Sequence, residues 1–250
     1  MEKFKNESHS NTARPDFSFV QKKPIFNINP ITLPTIQSLG DTHTAKMYVK
    51  SRKIPESFWN TLYYANDFAE FADKLFPEHD KDLKKEDPRI VIPFYDQKNI
   101  LQGVQGRALG NSKVRYITLK ASEESGKVFG LNKVDFTKPI YVVEGPIDSM
   151  FLSNSIATMD ANLSSVISTV GENYKYVFVF DNEPRNKDIL KQMNRVISKN
   201  LNICIWPSNI QSKDVNDMIL SGVKDIMNII DDNTFSGLKA KLQFETWRKV

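Results

Sequence analysis

Short apolar runs set the rhythm of this chain, and the rhythm changes once along its length. Arg89-Ile-Val-Ile-Pro-Phe-Tyr reads as a strand, because β-branched and aromatic residues fit a pleated surface. Asp96-Gln-Lys-Asn makes a turn, and residues 100–107 return as a second strand containing Gly103 and Gly106. Val114-Arg-Tyr-Ile-Thr-Leu is a third, so this stretch predicts a small antiparallel unit. Before it, Asp41-Thr-His-Thr supplies cap-type residues for a short helix running to about Arg52. Residues 56–76 place Phe58, Leu62, Phe68, Phe71 and Leu75 at mixed helical spacing and are predicted helical. Residues 1–40 are polar and then punctuated by Pro15, Pro24, Pro30 and Pro34, which predicts a tail with little regular structure.

From residue 139 strands and helices alternate. Ile140–Val143, Ile156–Met159, Val177–Phe180 and Asn202–Trp206 are short apolar strands. Helices are predicted after Glu144, over 162–170, over 185–199 with Ile189, Met193, Val196 and Ile197 on one face, and from Val215 to Leu220. Buried strands alternating with helices imply a parallel sheet covered on both faces. Residues 234–250 read as a terminal helix.

Composition narrows the class. In 250 residues, 40% hydrophobic and 26% charged side chains are enough for a real core. Apolar runs stay far short of a membrane span and no signal-like segment opens the chain, so a cytoplasmic protein with no membrane partner is expected. One cysteine, Cys204, excludes a Cys-rich zinc module in this sequence. Residues 1–130 hold 20 basic and 16 acidic side chains, whereas 131–250 hold 14 of each. Within 98–127 six cations (Lys98, Arg107, Lys113, Arg115, Lys120, Lys127) face two acids. A basic stretch beside a neutral domain suits a polyanion groove.

Functional groups of a parallel sheet gather where strands end at their carboxyl edge. Glu144 follows the first such strand, Asp181 and Glu183 follow the third, and Asp148 lies on the helix turn after Glu144. Taken singly, each acid serves equally as a helix cap or dipole partner. Together they make a set of hard oxygen ligands suited to Mg²⁺ or Mn²⁺. If the chain stays extended for one more pleat after the strand, Asp181 and Glu183 face the same crevice.

Val143-Glu-Gly-Pro-Ile-Asp resembles the first motif of the Toprim domain, and Phe180-Asp-Asn-Glu its Asp-x-Asp motif with Glu as the second acid. Lys213-Asp-Val-Asn-Asp is similar to a segment of replicative primases that follows the next strand. Upstream, Arg89–Asp96, Gly103-Val-Gln-Gly-Arg, Val114–Leu119, Lys127-Val-Phe-Gly-Leu-Asn and even Thr44–Ile54 resemble the basic subdomain of bacterial and phage DNA primases. The resemblance covers residues 41–221 in the family's order. It implies an α/β fold, a Toprim-like parallel sheet flanked by helices and preceded by a small basic α+β subdomain. It divides the chain into a tail (1–40), the basic subdomain (41–137), the Toprim domain (138–221) and a helical segment (222–250). The family's zinc module and helicase-docking domain have no counterpart here, and Met159-Asp-Ala-Asn replaces a Gly-Thr-Ala-like segment.

The activity implied is synthesis of short RNA primers on single-stranded DNA from ribonucleoside triphosphates, by a primase of a phage or mobile element. By resemblance Asp181 and Glu183 would hold Mg²⁺ or Mn²⁺ with help from Asp148. Glu144 would act as acid/base or as a further ligand. Arg107, Lys113, Arg115 and Lys213 would meet triphosphate or template backbone. A plain reading leaves Arg107 and Arg115 as cross-strand surface pairs, Lys213-Asp214 as a salt bridge or cap, and Tyr116 and Trp206 as core. Partners implied are the template, the nucleotides, and a replicative helicase or separate zinc-binding protein. A Toprim nuclease and an inactive nucleic-acid-binding subunit are the competing readings; a topoisomerase is disfavoured, because this sequence offers no separate domain to carry a nucleophilic tyrosine.

Overall fold

The computed structural model describes residues 31–159, 163 and 165–249. Most of the expected tail lies outside them. Its last ten residues do not behave as a tail: Ile36 is fully buried, and Thr35 bridges to Tyr63. Among the described residues no helix is long and apolar enough to cross a membrane.

The first sheet has the order β1-β2-β3-β4, from β1 (Tyr63–Ala65), β2 (Arg89–Tyr95), β3 (Leu101–Ala108) and β4 (Tyr116–Lys120), all antiparallel. Two helices pack against it, α1 (Thr44–Ser51) and α2 (Phe68–Leu75). Residues 56–76 are therefore not one helix. A short 3-10 turn at Glu56–Phe58 gives way to β1, and Asp67 restarts the helix by accepting the Glu70 N–H at 3.1 Å. The pairing of Tyr63–Ala65 with Val91–Arg89 overrode the helical spacing of the aromatics. Pro93 is tolerated in the middle strand because β1 ends opposite Val91 and asks for no N–H beyond it.

Arg89 is fully buried in this sheet. Its Nε and Nη2 donate to Asp87 Oδ2 at 2.9 and 2.6 Å, Nη1 to the Gly106 carbonyl at 2.9 Å, and Nη2 to the Val114 carbonyl at 2.9 Å. One guanidinium thus spans β2, β3 and the loop before β4. Gly106 has no side chain for a local reason: a Cβ there would lie 2.7 Å from the Phe68 ring.

The second sheet has the order β6-β5-β7-β8-β9, built from β5 (Ile140–Val143), β6 (Ser155–Ala157), β7 (Tyr176–Val179), β8 (Asn202–Cys204) and β9 (Thr234–Phe235). The first four are parallel and β9 is antiparallel to β8. Alternate residues face opposite sides, and both sides are covered. Ile140, Val142, Tyr176, Phe178 and Ile203 pack with α4 (Ser165–Val170), α5 (Lys187–Ser198) and α8 (Gly237–Trp247). Tyr141, Val143, Val177, Val179 and Cys204 pack with α6 (Val215–Leu220) and α7 (Ile226–Asp232). The terminal segment therefore adds an edge strand as well as helices.

The two sheets share a core. Ile147 and Met150, on or beside α3 (Pro146–Ser149), pack with Ile36, Val49, Trp59, Leu62, Ile90 and Ile92. Phe129 exchanges backbone bonds with Ala157 at 2.8 and 3.1 Å, laying the Lys127–Asn132 segment along the edge of β6. Gly130 makes that turn at φ 86°, where a Cβ would lie 2.8 Å from the Ser155 carbonyl. A mixed α/β fold with a helix-flanked parallel sheet and a smaller antiparallel unit in front agrees with the sequence reading.

Candidate active site

In this strand order β5 leads to β6 on one side while β7 lies on the other. The connections leave β5 and β7 in opposite directions, and a crevice opens at their carboxyl ends, the usual ligand position of an open α/β sheet. Glu144 follows β5 and Asp181 follows Phe180 just after β7, so chain topology alone delivers both to that crevice. Asp148 sits on α3 against Gly145, where a Cβ would come 2.6 Å from Asp148 Oδ2. Asp148 Oδ1 accepts the Asn216 N–H at 2.9 Å, and Asp214 caps the same helix by accepting the Asp217 N–H at 2.7 Å.

The opposite wall comes from the antiparallel sheet and α1. The cleft encloses about 290 Å³ and is lined by Glu144, Asp148, Asp181 and Asp214 on one side. Arg52, Arg107, Arg115 and Tyr116 line the other, with Lys213 between. Arg107 is buried and lies between two rings, 5.2 Å from Tyr48 and 5.1 Å from Tyr116. It is therefore no surface pair. Among the described residues its Nε and Gln105 Oε1 are buried without a hydrogen-bond partner, and both residues line the cleft. Buried polar groups left unpaired are costly, so a wall carrying two of them is built to meet a polar ligand. Arg52 ties the two walls together by donating to Asn216 Oδ1 at 3.1 Å and Asp217 Oδ1 at 3.2 Å.

The acids raise one another's pKa. Burial pushes the Asp181 carboxyl up to about 8, helped by the charges of Asp148, Glu144 and Asp214 against the opposing pull of Lys213. Burial and then Asp214 push Asp148 up to about 7, against the Asn216 hydrogen bond. Asp214 is raised too, first by burial. Burial disfavours the Lys213 ammonium, but its hydrogen bond to Glu183 and the nearby carboxylates raise its pKa overall. Carboxylates arranged like this take up protons or a cation.

The set fits a divalent ion. Its donors are hard oxygens, its charges are mutually unfavourable, and Lys213 already places a cation 3.9 Å from Asp181 and 3.2 Å from Glu183. Among the described residues no three His, Cys, Asp or Glu side chains close on one point as a finished cage. Mg²⁺ needs no such cage, since it binds through one or two carboxylates plus phosphate and water.

One expectation is corrected. Asp181 and Glu183 do not continue the strand side by side, because the Glu183 N–H donates to the Asp181 carbonyl at 2.9 Å. This tight turn at Asn182 keeps Asp181 in the cleft, whereas Glu183 lies outside that lining and lines a second cleft beside α8. Of the expected cationic residues, Arg107, Arg115 and Lys213 line the cleft, whereas Lys113 is exposed and outside its lining. Lys213-Asp214 does form the salt bridge and cap of the plain reading, while also lining the cleft. Tyr116 lines the cleft and Trp206 is buried. Tyr48, Arg52, Gln105 and Asn216 were not singled out. The resemblance of Thr44–Ile54 and Gly103–Arg107 to the primase subdomain was the available signal for most of them. Met159 lines the cleft with a left-handed backbone at φ 52°; residues 160–162 lie outside the described residues.

A pH dependence arises here. Carboxyl groups raised in the folded state bind more protons than in the unfolded chain, whose value is about 4. That contribution is complete below about pH 4 and is lost as pH rises through about 7 and 8. Metal-free protein is expected to melt lower at pH 8.5 than at pH 6, with Mg²⁺ abolishing most of the difference. Equal melting temperatures at both pH values without metal would show that these acids are not raised.

A helix-flanked parallel sheet faced by an antiparallel unit is a fold shared with solved DNA primase catalytic domains. The chain aligns with the DnaG primase catalytic domain bound to single-stranded DNA at a TM-score of 0.58, 14% identity, covering 81% of this chain and 78% of that one. A DNA primase domain from Pseudomonas aeruginosa aligns at 0.58 and 18% identity, covering 77% and 72%. The Aquifex aeolicus primase, comprising zinc-binding and RNA polymerase domains, aligns at 0.57 and 19%, covering 78% and 56%. In sequence the chain is 33% identical over 221 residues to the DNA primase of Enterobacteria phage T4, covering 86% of this chain. It spans 63% of the length of that relative. No protein-family profile matches the sequence. The chain thus resembles Toprim-domain DNA primases in sequence and in fold.

Proposed function

We propose that this chain is a primase catalytic core that joins ribonucleotides into short primers on single-stranded DNA. The observation that carries the reading is the single cleft in which Asp181, Asp148 and Glu144 face Arg107 and Arg115. In the reaction a 3′-hydroxyl oxygen bonds to the α-phosphorus of a nucleoside triphosphate. The α–β phosphoanhydride bond breaks, pyrophosphate leaves, and the hydroxyl proton passes to a base. A bound Mg²⁺ or Mn²⁺ supplies charge neutralisation and alignment at the phosphate. Asp181 and Asp148 would hold it, with Glu183 reaching in from outside the cleft lining. Glu144, exposed at the cleft mouth, is placed to take the proton or to complete the ligand set. Arg107 and Arg115 offer guanidinium groups to phosphate oxygens, and Lys213 adds a point charge beside the acids. Lys113 is left to the template backbone outside the cleft.

With one cysteine, the buried Cys204, the sequence given builds no Cys-based zinc site. We therefore assign start-site preference to a separate zinc-binding module and delivery to the fork to a replicative helicase. Host cytoplasm is the compartment this activity requires.

The deciding experiment incubates the protein with single-stranded DNA, labelled ribonucleoside triphosphates and Mg²⁺ or Mn²⁺. Short labelled products are expected. Degradation of the DNA without ribonucleotide products would give the site to a nuclease. Arg115→Ala is expected to weaken binding of template or nucleotide and to flatten its salt dependence, since each lost phosphate contact removes about one unit of the salt slope. An unchanged slope would return Arg115 to an ordinary exposed cation.

A further inference from the structure

The loop carrying Asp181 and Glu183 runs between two clefts, one of about 290 Å³ and one of about 830 Å³. Its position depends on hydrogen bonds, and most of them converge on Asn182. The Asn182 backbone N–H donates to the Lys213 carbonyl at 2.6 Å. Its Nδ2 donates to the Ile210 and Ser212 carbonyls at 3.0 and 3.1 Å. Its Oδ1 accepts the indole N–H of Trp247 at 3.0 Å. Two residues on, the Pro184 carbonyl accepts the Lys249 N–H at 2.9 Å.

The anchor of this network is distant from the cleft. Trp247 ends α8, whose Ala240 and Phe244 are fully buried against the parallel sheet. Trp206, itself buried, adds a second indole bond to the Phe180 carbonyl at 2.7 Å. An amide is the side chain this position requires, because it must donate twice and accept once. Aspartate would lose the donors, and an apolar residue all three bonds.

We propose that Asn182 and Trp247 are positioning residues: the C-terminal helix acts as a strap that fixes the acid loop against the Lys213 loop and thereby sets the affinity of the site for a divalent ion. Neither residue touches the reacting atoms. Asn182 fixes Lys213 relative to Asp181 and Glu183, and Trp247 fixes the Asn182 amide in the orientation that does so. The inference rests on the proposed metal site but not on primer synthesis.

The test uses Mn²⁺ alone as the probe, titrated into the full chain, with the melting temperature of metal-free protein measured alongside. Trp247→Phe keeps an aromatic ring and removes the N–H together with part of the indole's volume, so the melting temperature reports the lost packing separately. It is expected to weaken Mn²⁺ binding about 5-fold while lowering the melting temperature by no more than about 4 °C. Asn182→Ala should weaken Mn²⁺ binding more, about 10-fold. The double variant should resemble Asn182→Ala rather than multiply the two losses, because the Trp247 N–H acts only through the Asn182 amide, which Asn182→Ala already removes. Wild-type Mn²⁺ affinity in both single variants overturns the strap, and so does a multiplicative double variant. Failure of the wild type to make primers while it binds Mn²⁺ would count against the primase reading alone.

Discussion

Asp181→Asn is expected to abolish nucleotide incorporation while making the metal-free protein more stable. The two effects have one origin. Asp181 is three-quarters buried, with 23% side-chain exposure, and stands among Asp148, Glu144 and Asp214, each of which opposes its ionisation. Without a divalent ion the fold must therefore keep Asp181 largely protonated at neutral pH, although the unfolded chain ionises it near pH 4, and the amide removes that cost at nearly equal size. A gain on the order of 1–2 kcal/mol in a chain of this length would raise the melting temperature by roughly 2–8 °C. With the ion, the same substitution would delete the proposed ligand, whose contribution to neutralising a transferring phosphate is several kcal/mol. A loss of about 10³-fold or more in incorporation follows, at tenfold per 1.36 kcal/mol. Calorimetric Mn²⁺ titration, melting without metal and primer synthesis read the three consequences separately. Glu183→Asp is expected to keep partial activity, since it preserves the carboxylate but draws it back from the cleft. An Asp181→Asn protein that binds metal and makes primers like the wild type would reduce these acids to helix-end partners.

Arg89→Leu is expected to be the most destabilising single change in the antiparallel unit. It leaves Asp87, itself buried, as an uncompensated charge, and it orphans the Gly106 and Val114 carbonyls. Breaking a buried pair from one side costs about 3–5 kcal/mol. The Arg89 guanidinium also lies 5.6 Å from the Phe68 ring, which adds lost packing. Urea unfolding measures this directly. The companion variant Arg89→Leu with Asp87→Leu should recover most of the loss, because the stranded charge is then gone. A loss below about 1 kcal/mol for the single change would mean that water reaches Asp87 freely.

What the sequence made legible follows from where the physical information sits. The strands β2, β3, β5, β7 and β8 announced themselves because runs such as Val177-Phe-Val-Phe are dense in β-formers and bounded by polar residues. Their carboxyl ends located Glu144 and Asp181 before any coordinates did. Tyr63–Ala65 was read as helix because its aromatic neighbours repeat at helical intervals; its pairing with Val91–Arg89 is tertiary and leaves no local mark. Ile36 was assigned to a tail because prolines surround it, yet its burial depends on Trp59 and Leu62, which follow it by more than twenty residues. The turn at Asn182 was hidden for the same reason, since residues 210–213 and Trp247 hold it. Arg107 is expected from sequence as a phosphate contact, but its burial between Tyr48 and Tyr116 needs the fold.

The flanks of the parallel sheet constrain how this core meets other proteins. On one side Phe129 takes up the backbone of Ala157 on β6, and on the other the two-residue β9 closes β8. Among the described residues an extended segment of another chain finds no long row of free N–H and C=O groups there, so strand addition, a common way to recruit a partner onto a sheet, is disfavoured at both flanks. Any partner of the parallel sheet is left to side chains on its helices and loops. Specificity for them is therefore written in surface residues that can change one at a time without disturbing the backbone ladder that carries the acids.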